Sequence, residues 1–229
     1  MIYLANFGEF CIILLKGLST KISMVNVNLT KPIEKEDLKG KLFLIVGPSG
    51  SGKGTVIAEL KKVFPEFIYP ISYTTRAIRE GEKPDDVYHY VAREEFEKMI
   101  AEDDFLEYAI VHSNEYYGTP KSDIVEPLKL GKTVVREVDI QGFNSIKEIF
   151  PKEHLVSIFM KVTDPEDLKQ RILRRGQMSE EELARRMESA KKEMAKADQC
   201  NYQVENTWGK IEECEEHVEE IIRTELGIN

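Results

Sequence analysis

Gly47-Pro48-Ser49-Gly50-Ser51-Gly52-Lys53 is the stretch of this chain with the plainest chemistry. Glycines at this spacing let the backbone wrap with its N–H groups pointing inward, an anion nest that runs on into a helix N-terminus. A lysine closing such a loop reaches the outer phosphates of a nucleoside triphosphate and follows their charge through transfer. The position after the lysine, usually a Ser or Thr that ligates Mg²⁺, is Gly54, with Thr55 behind it. A magnesium ion is therefore expected to be held partly through water.

A second group begins at Ser72–Glu82, where Arg76 and Arg79 stand three apart, and continues through Tyr88, Tyr116, Tyr117 and Thr119. Guanidinium forks and phenol hydroxyls are donors suited to a dianionic phosphate. On composition alone, a solvated loop beside half-buried tyrosines accounts for the same residues equally well. Arg171, Arg174, Arg175, Arg185 and Arg186 form a third group, whose plain reading is a salt-bridged surface helix.

These groups need elements to position them. Lys41–Val46 is a short apolar run ending in glycine, as in a buried parallel strand. Lys53–Phe64 has Val56, Ile57, Leu60 and Val63 on one helical face and is stopped by Pro65. Strand-like runs at Thr133–Ile140 and Leu155–Val162 each precede a helical segment, Phe143–Phe150 and Pro165–Arg174. That alternation implies right-handed βαβ units and a parallel sheet covered on both faces. Glu180–Ala197 is predicted as one charged helix, Tyr202–Asn206 as a further strand and Ile211–Leu226 as an amphipathic closing helix. Between Pro70 and about Thr119 the rhythm breaks, so that stretch reads as an insertion.

With 229 residues, 41% hydrophobic and 32% charged, the chain suits one globular α/β domain. A net charge of −9 argues against a general nucleic-acid or membrane binder, and a phosphate site needs cations only locally. Cys11, Cys200 and Cys214 are scattered without CxxC spacing, which excludes a zinc ribbon and fits reduced thiols in a cytoplasmic compartment. The apolar run Phe10–Leu15 is too short to span a bilayer, and no basic segment precedes it. Residues 1–38 are expected to form a flexible or loosely docked extension, with a targeting segment or a true start at Met24 as alternatives.

In order and spacing, Gly47–Lys53, Ser72–Glu82, Tyr88, Phe105-Leu106-Glu107, Tyr117-Gly118-Thr119 and Asp139-Ile140-Gln141-Gly142 resemble the guanylate kinases, from about Gly40 to the C-terminus. The resemblance implies a three-layer P-loop kinase fold with a parallel central sheet, a GMP-binding insertion at 72–119 and a mobile lid at 165–194. It implies ATP and GMP as substrates, Mg²⁺ as cofactor, and a monomer or weak dimer. Carried over position by position, Gly47, Pro48, Ser49, Gly50, Ser51, Gly52, Lys53, Gly54, Thr55, Arg171, Arg175 and Asn206 look like the ATP site. Arg76, Arg79, Tyr88 and Tyr117 look like the GMP-phosphate grip. Ser72, Glu107 and Thr119 resemble the guanine readers, with Glu137 and Asp139 close by. Lys53, Arg76, Arg175 and Arg186 resemble the catalytic cations, and Thr55, Glu137 and Asp139 the groups near the metal, through water or directly.

The chemistry agrees with that assignment. Guanine offers N1–H and N2–H₂ as adjacent donors, and one carboxylate can accept both. The chain also departs from the family pattern. Ile78 replaces a proline between the two arginines, Glu115 is an apparent one-residue insertion, and Arg136-Glu137 stands where an apolar residue and Asp are usual. The extra methylene of Glu137 displaces its carboxylate by up to about 1.5 Å. Gly54-Thr55 is similar to adenylate kinases, which keeps another nucleoside monophosphate kinase open as a rival. A guanylate-kinase-like binding module is the rival from a different class, though such modules usually have a degraded phosphate loop.

Overall fold

The structure is a computed structural model and describes residues 2–7, 10–15, 32–34, 37–78, 82–85, 88–111, 115–174 and 178–228. Strands β1 (Ile2–Phe7) and β2 (Phe10–Leu15) pair antiparallel. The expectation of a flexible or loosely docked extension over 1–38 falls in large part on 1, 8–9, 16–31 and 35–36, outside the described residues. The chain divides into two compact units, one of Met1–Ile33 with Ile71–Asp123 and the other of Glu34–Pro70 with Ile124–Asn229.

In the second unit a four-stranded parallel sheet forms from β3 (Leu42–Val46), β8 (Val134–Val138), β9 (Leu155–Lys161) and β10 (Tyr202–Glu205), in the order β10-β9-β3-β8. All five residues of β3 are buried, which is what a central strand between two layers of helix requires. Alternate strand residues Phe43, Ile45, Ile158, Met160 and Val204 pack with Val56 and Leu60 of α1 (Lys53–Val63) and Cys214, Val218 and Ile222 of α7 (Ile211–Leu226). Helix α4 (Ile140–Ile149) packs against β3 and β8. The Tyr69 hydroxyl lies 2.7 Å from Leu60 O and 3.1 Å from Phe64 O, serving carbonyls left over at the end of α1.

Several boundaries differ from the sequence expectation, α4 among them, which begins at Ile140 where Phe143 was expected. The strand expected at Thr133–Ile140 stops at Val138, because the Asp139 carboxylate accepts from Gln141 N (2.9 Å) and Gly142 N (2.8 Å) and starts α4 at once. The helix expected over Glu180–Ala197 ends at Met194, and a 3₁₀ turn, Ala197–Gln199, follows. This helix, α6 (Glu180–Met194), packs Ala190 with Leu168 and Ile172 of α5 (Pro165–Leu173) and with Val162.

The first unit holds a mixed sheet in the order β5-β4-β7-β6, from β4 (Ser72–Thr74), β5 (Tyr88–Tyr90), β6 (Phe105–Val111) and β7 (Glu115–Pro120). Helix α2 (Arg93–Ala101) covers its back with Phe96, which stacks on Phe105 and Tyr116 at 4.3 and 5.0 Å between centroids. A Cβ on Gly118 would stand 2.8 Å from Phe105 and 2.9 Å from Phe96, so only glycine lets the aromatic layer close on β7. Between β7 and β8 the chain runs through α3 (Ser122–Lys129). Among the described residues no helix is long and apolar enough to cross a membrane.

Burial holds the Cys200 and Cys214 thiols up at about 11, so both stay protonated at pH 8. In a Cys11→Ser variant, Ellman's reagent at pH 8 should therefore find no fast thiol in native protein and the two remaining thiols of the three after denaturation. A thiol reacting within seconds in the native variant would contradict the burial of these helical and turn positions.

Candidate active site

The loop after β3 turns through Gly52 at φ 95°, where a Cβ would meet Asn206 Nδ2 at 2.3 Å. Backbone conformation and space both demand glycine there. Ser51 is wholly buried, and its Oγ has no hydrogen-bond partner among the described residues. Lys53 curls over the loop, donating to Gly47 O (2.6 Å) and Pro48 O (3.0 Å). No acidic residue stands in the first turn of α1, so the positive end of that helix is left to attract an anion.

Asn206, 1% exposed, joins this loop to two other elements. Its Nδ2 donates to Ser51 O (2.9 Å), and its backbone N–H to Lys161 O at the end of β9 (2.8 Å). Its O and Oδ1 accept from Arg171 Nη2 on α5, at 2.9 and 3.2 Å. Burial pulls the Arg171 pKa down, and its buried Nε has no partner among the described residues. Beyond Asn206, the ring of Trp208 lies 5.7 Å from the Arg171 guanidinium carbon and 4.5 Å from that of Arg174.

Three carboxylates approach the loop. A Cβ on Gly54 would come to 3.9 Å from Glu137 Oε2, so that carboxylate borders the first turn of α1. Asp139 gives one oxygen to the start of α4. Glu193 of α6 has a buried Oε2 with no partner; burial first, and then the Asp139 charge, push its pKa up, while Lys53 pulls the other way. Thr55, Glu137 and Asp139 are all exposed, and no group of three metal-ligating side chains comes together among the described residues. Arg136, beside Glu137 in the sequence, is turned inward and buried, donating to Pro70 O (2.8 Å).

In the first unit the strand registers do the assembling. Tyr88 pairs with Ser72, and Glu107 with Thr119. The β4–β7 register (Tyr73 with Gly118, Thr74 with Tyr117), continued by one residue, sets Ser72 level with Thr119. Paired residues share a face. Tyr88, Ser72, Thr119 and Glu107 therefore form one row across four strands, and Tyr90, Thr74, Tyr117 and Ala109 form the next. The buried Thr119 donates its hydroxyl to Glu107 Oε1 at 2.6 Å. Arg76, also buried, lies 5.4 Å from the Tyr88 ring and 5.6 Å from that of Tyr90.

A family model described as guanylate kinase matches residues 39–225. The chain belongs to the guanylate kinase family. It is 45% identical to a guanylate kinase of Clostridium tetani, over 82% of this chain and 87% of that one. To a guanylate kinase of Nostoc it is 41% identical, over 81% and 90%. The crystal structure of a guanylate kinase from Anaplasma phagocytophilum superposes with a TM-score of 0.63 at 27% identity, covering 82% of this chain and 88% of that one.

Arg79 and Arg175 lie outside the described residues. Arg186 is half-buried and donates through Nε to Glu182 Oε1 (2.8 Å) on its own helix, and Arg185 pairs with the same carboxylate. Sequence reasoning passed over Glu82, Tyr90, Glu193 and Trp208. Glu82 at the end of the Arg76 stretch, and Trp208 two residues past Asn206, had only their nearness to assigned residues as a signal.

The Asn206 junction makes a measurable demand on stability. Asn206→Ala removes the buried bonds to Ser51 O and Arg171, and should cost about 1–3 kcal/mol of unfolding free energy. Urea denaturation checks this, and a loss below about 0.5 kcal/mol would mean that the junction is re-formed by water.

Proposed function

We propose that the protein transfers the γ-phosphoryl group of ATP to GMP, giving ADP and GDP. The observation that carries the reading is the Glu107–Thr119 pair within the row Tyr88–Ser72–Thr119–Glu107. A carboxylate steadied by a buried hydroxyl presents acceptor lone pairs to two adjacent donors, the pattern that guanine N1–H and N2–H₂ display and adenine does not. Ser72 supplies a further hydroxyl in line, and Arg76, Arg79, Tyr88 and Tyr117 supply donors to the GMP phosphate.

On this reading ATP lies along the second unit, its phosphates on the amides of Gly47–Gly54 and on Lys53, its base toward Arg171 and Asn206. The GMP phosphate is already ionised at neutral pH, so the reaction needs no general base. It needs the acceptor oxygen in line with the γ-phosphorus, and cations to meet the charge that spreads over the equatorial oxygens. Lys53, Arg76, Arg175 and Arg186 are the cations assigned to that work. The segment 165–194 acts as a lid that excludes water, which would otherwise hydrolyse ATP.

The oxygen donors near the loop fit a hard cation that keeps several waters: Glu137 borders α1, with Thr55 and Asp139 within the same part of the unit. Those three residues would hold Mg²⁺, mostly through its waters. When bound, the ion neutralises phosphate charge.

A coupled ADP-release assay with GMP, AMP, dTMP and UMP tests the substrate assignment, and GMP should be preferred by orders of magnitude. Lys53→Ala should leave folded protein with turnover down by at least about a hundredfold. Unchanged turnover would overturn the kinase reading. Glu107→Gln turns one acceptor oxygen into a donor that faces guanine's own donors. It should lower kcat/KM for GMP about thirty- to a thousandfold, with ATP binding nearly untouched. A fall of less than about threefold would show that guanine is read elsewhere.

A further inference from the structure

A guanidinium carries five N–H donors, and most of those on Arg76 are already directed. Nη1 donates to Glu82 Oε2 (3.0 Å) and to Ala77 O (2.9 Å). Nη2 donates to Glu82 Oε1 (2.9 Å), with the Tyr90 hydroxyl 3.4 Å away. That hydroxyl in turn donates to Glu82 Oε2 at 2.8 Å. Glu82 thus takes the outer fork of Arg76 with both oxygens, and Tyr90 braces the carboxylate. With the rings of Tyr88 and Tyr90 flanking it, the Arg76 side chain is only 6% exposed.

We propose that Glu82 is a positioning residue of the acceptor site: it fixes the guanidinium of Arg76 in one orientation, so that the acceptor phosphate meets a preset charge. The proposal rests on the reading of Arg76 as a contact to that phosphate. A free arginine gives up rotamer freedom when it grips an anion, and one already held by a planar bidentate pair does not. The fork that Glu82 occupies leaves the Nε edge of Arg76 for the ligand. Glu82 also holds Arg76 firmly protonated, through its hydrogen bonds first and despite the burial that works against them.

Two effects of Glu82 oppose each other, which makes the proposal easy to refute. Its negative charge repels a phosphate dianion, while its grip orients the arginine. If repulsion dominated, removing the charge would tighten GMP binding. If positioning dominates, removing it must weaken binding.

The test is steady-state kinetics of Glu82→Gln, Arg76→Lys and the double variant, with GMP and ATP varied separately. Glu82→Gln should raise KM for GMP about tenfold, the size expected from a loosened positioning group, and leave KM for ATP within about twofold. A merely structural role would lower the active fraction, and hence kcat, at unchanged KM. In the Arg76→Lys background, Glu82→Gln should shift KM for GMP by less than about twofold, because the group it positions is gone. A KM for GMP that falls or stays level in Glu82→Gln overturns the proposal, as does an equal shift in both backgrounds. If Arg76→Lys alone leaves KM for GMP unchanged, the reading of Arg76 fails first and the proposal with it. Should Glu82→Gln not fold by circular dichroism, Glu82→Asp keeps the charge but shortens its reach. An unchanged KM for GMP in that variant also overturns the proposal.

Discussion

One buried side-chain amide holds the nucleotide end of this protein together. Asn206 has one donor group and one acceptor oxygen on its side chain, and it spends the first on the phosphate loop and the second on α5. Its backbone N–H continues the β9–β10 ladder. Phosphate loop, sheet and α5 therefore meet at one residue with no exposed surface to speak of. The contact is close enough to forbid a side chain at Gly52. A buried polar junction of this kind rigidifies the groups it joins, and so favours a single geometry. The loop's shape then follows from its glycines and its place from Asn206.

The first unit solves a different problem by different means. There the assigned residues come from four strands far apart in sequence, and register alone brings them level. The front face can be polar because the back face is closed by an aromatic layer in which Phe96, Phe105 and Tyr116 stack. Gly118 belongs to that closure more than to the polar face, for its missing Cβ is what admits the two phenyl rings. A residue inside a functional motif is here conscripted by packing.

What could be read from the sequence follows the range of the interactions concerned. The phosphate loop is local, so strand, turn and helix were all legible in one short stretch, and α7 matches its expected bounds, Ile211–Leu226. Strands β4 and β5 have three residues each, too short for an alternation pattern to register. Helix α2 was missed because only Phe96 on it is buried, among charged neighbours. Asp139 stood out as an acid near a metal, whereas Asp139-Ile140-Gln141-Gly142 also has the makings of a helix cap, and that use ends β8 early. Glu82, Glu193 and Trp208 depend on partners that only folding brings near. No spacing rule would single them out.

The row from Tyr88 to Glu107 can also be regarded as a gauge. Neighbouring strands lie about 4.8 Å apart, so the backbone of a four-strand row spans roughly 14 Å from its first strand to its last. On the proposed reading that span holds one mononucleotide, base toward the β6 edge and phosphate toward β5. The sheet's hydrogen bonds make that span incompressible. A ligand with a smaller base could satisfy one end only, and would leave the polar groups at the other end desolvated and unmatched. Length discrimination is thus a property of the ladder itself, and no single side chain has to supply it.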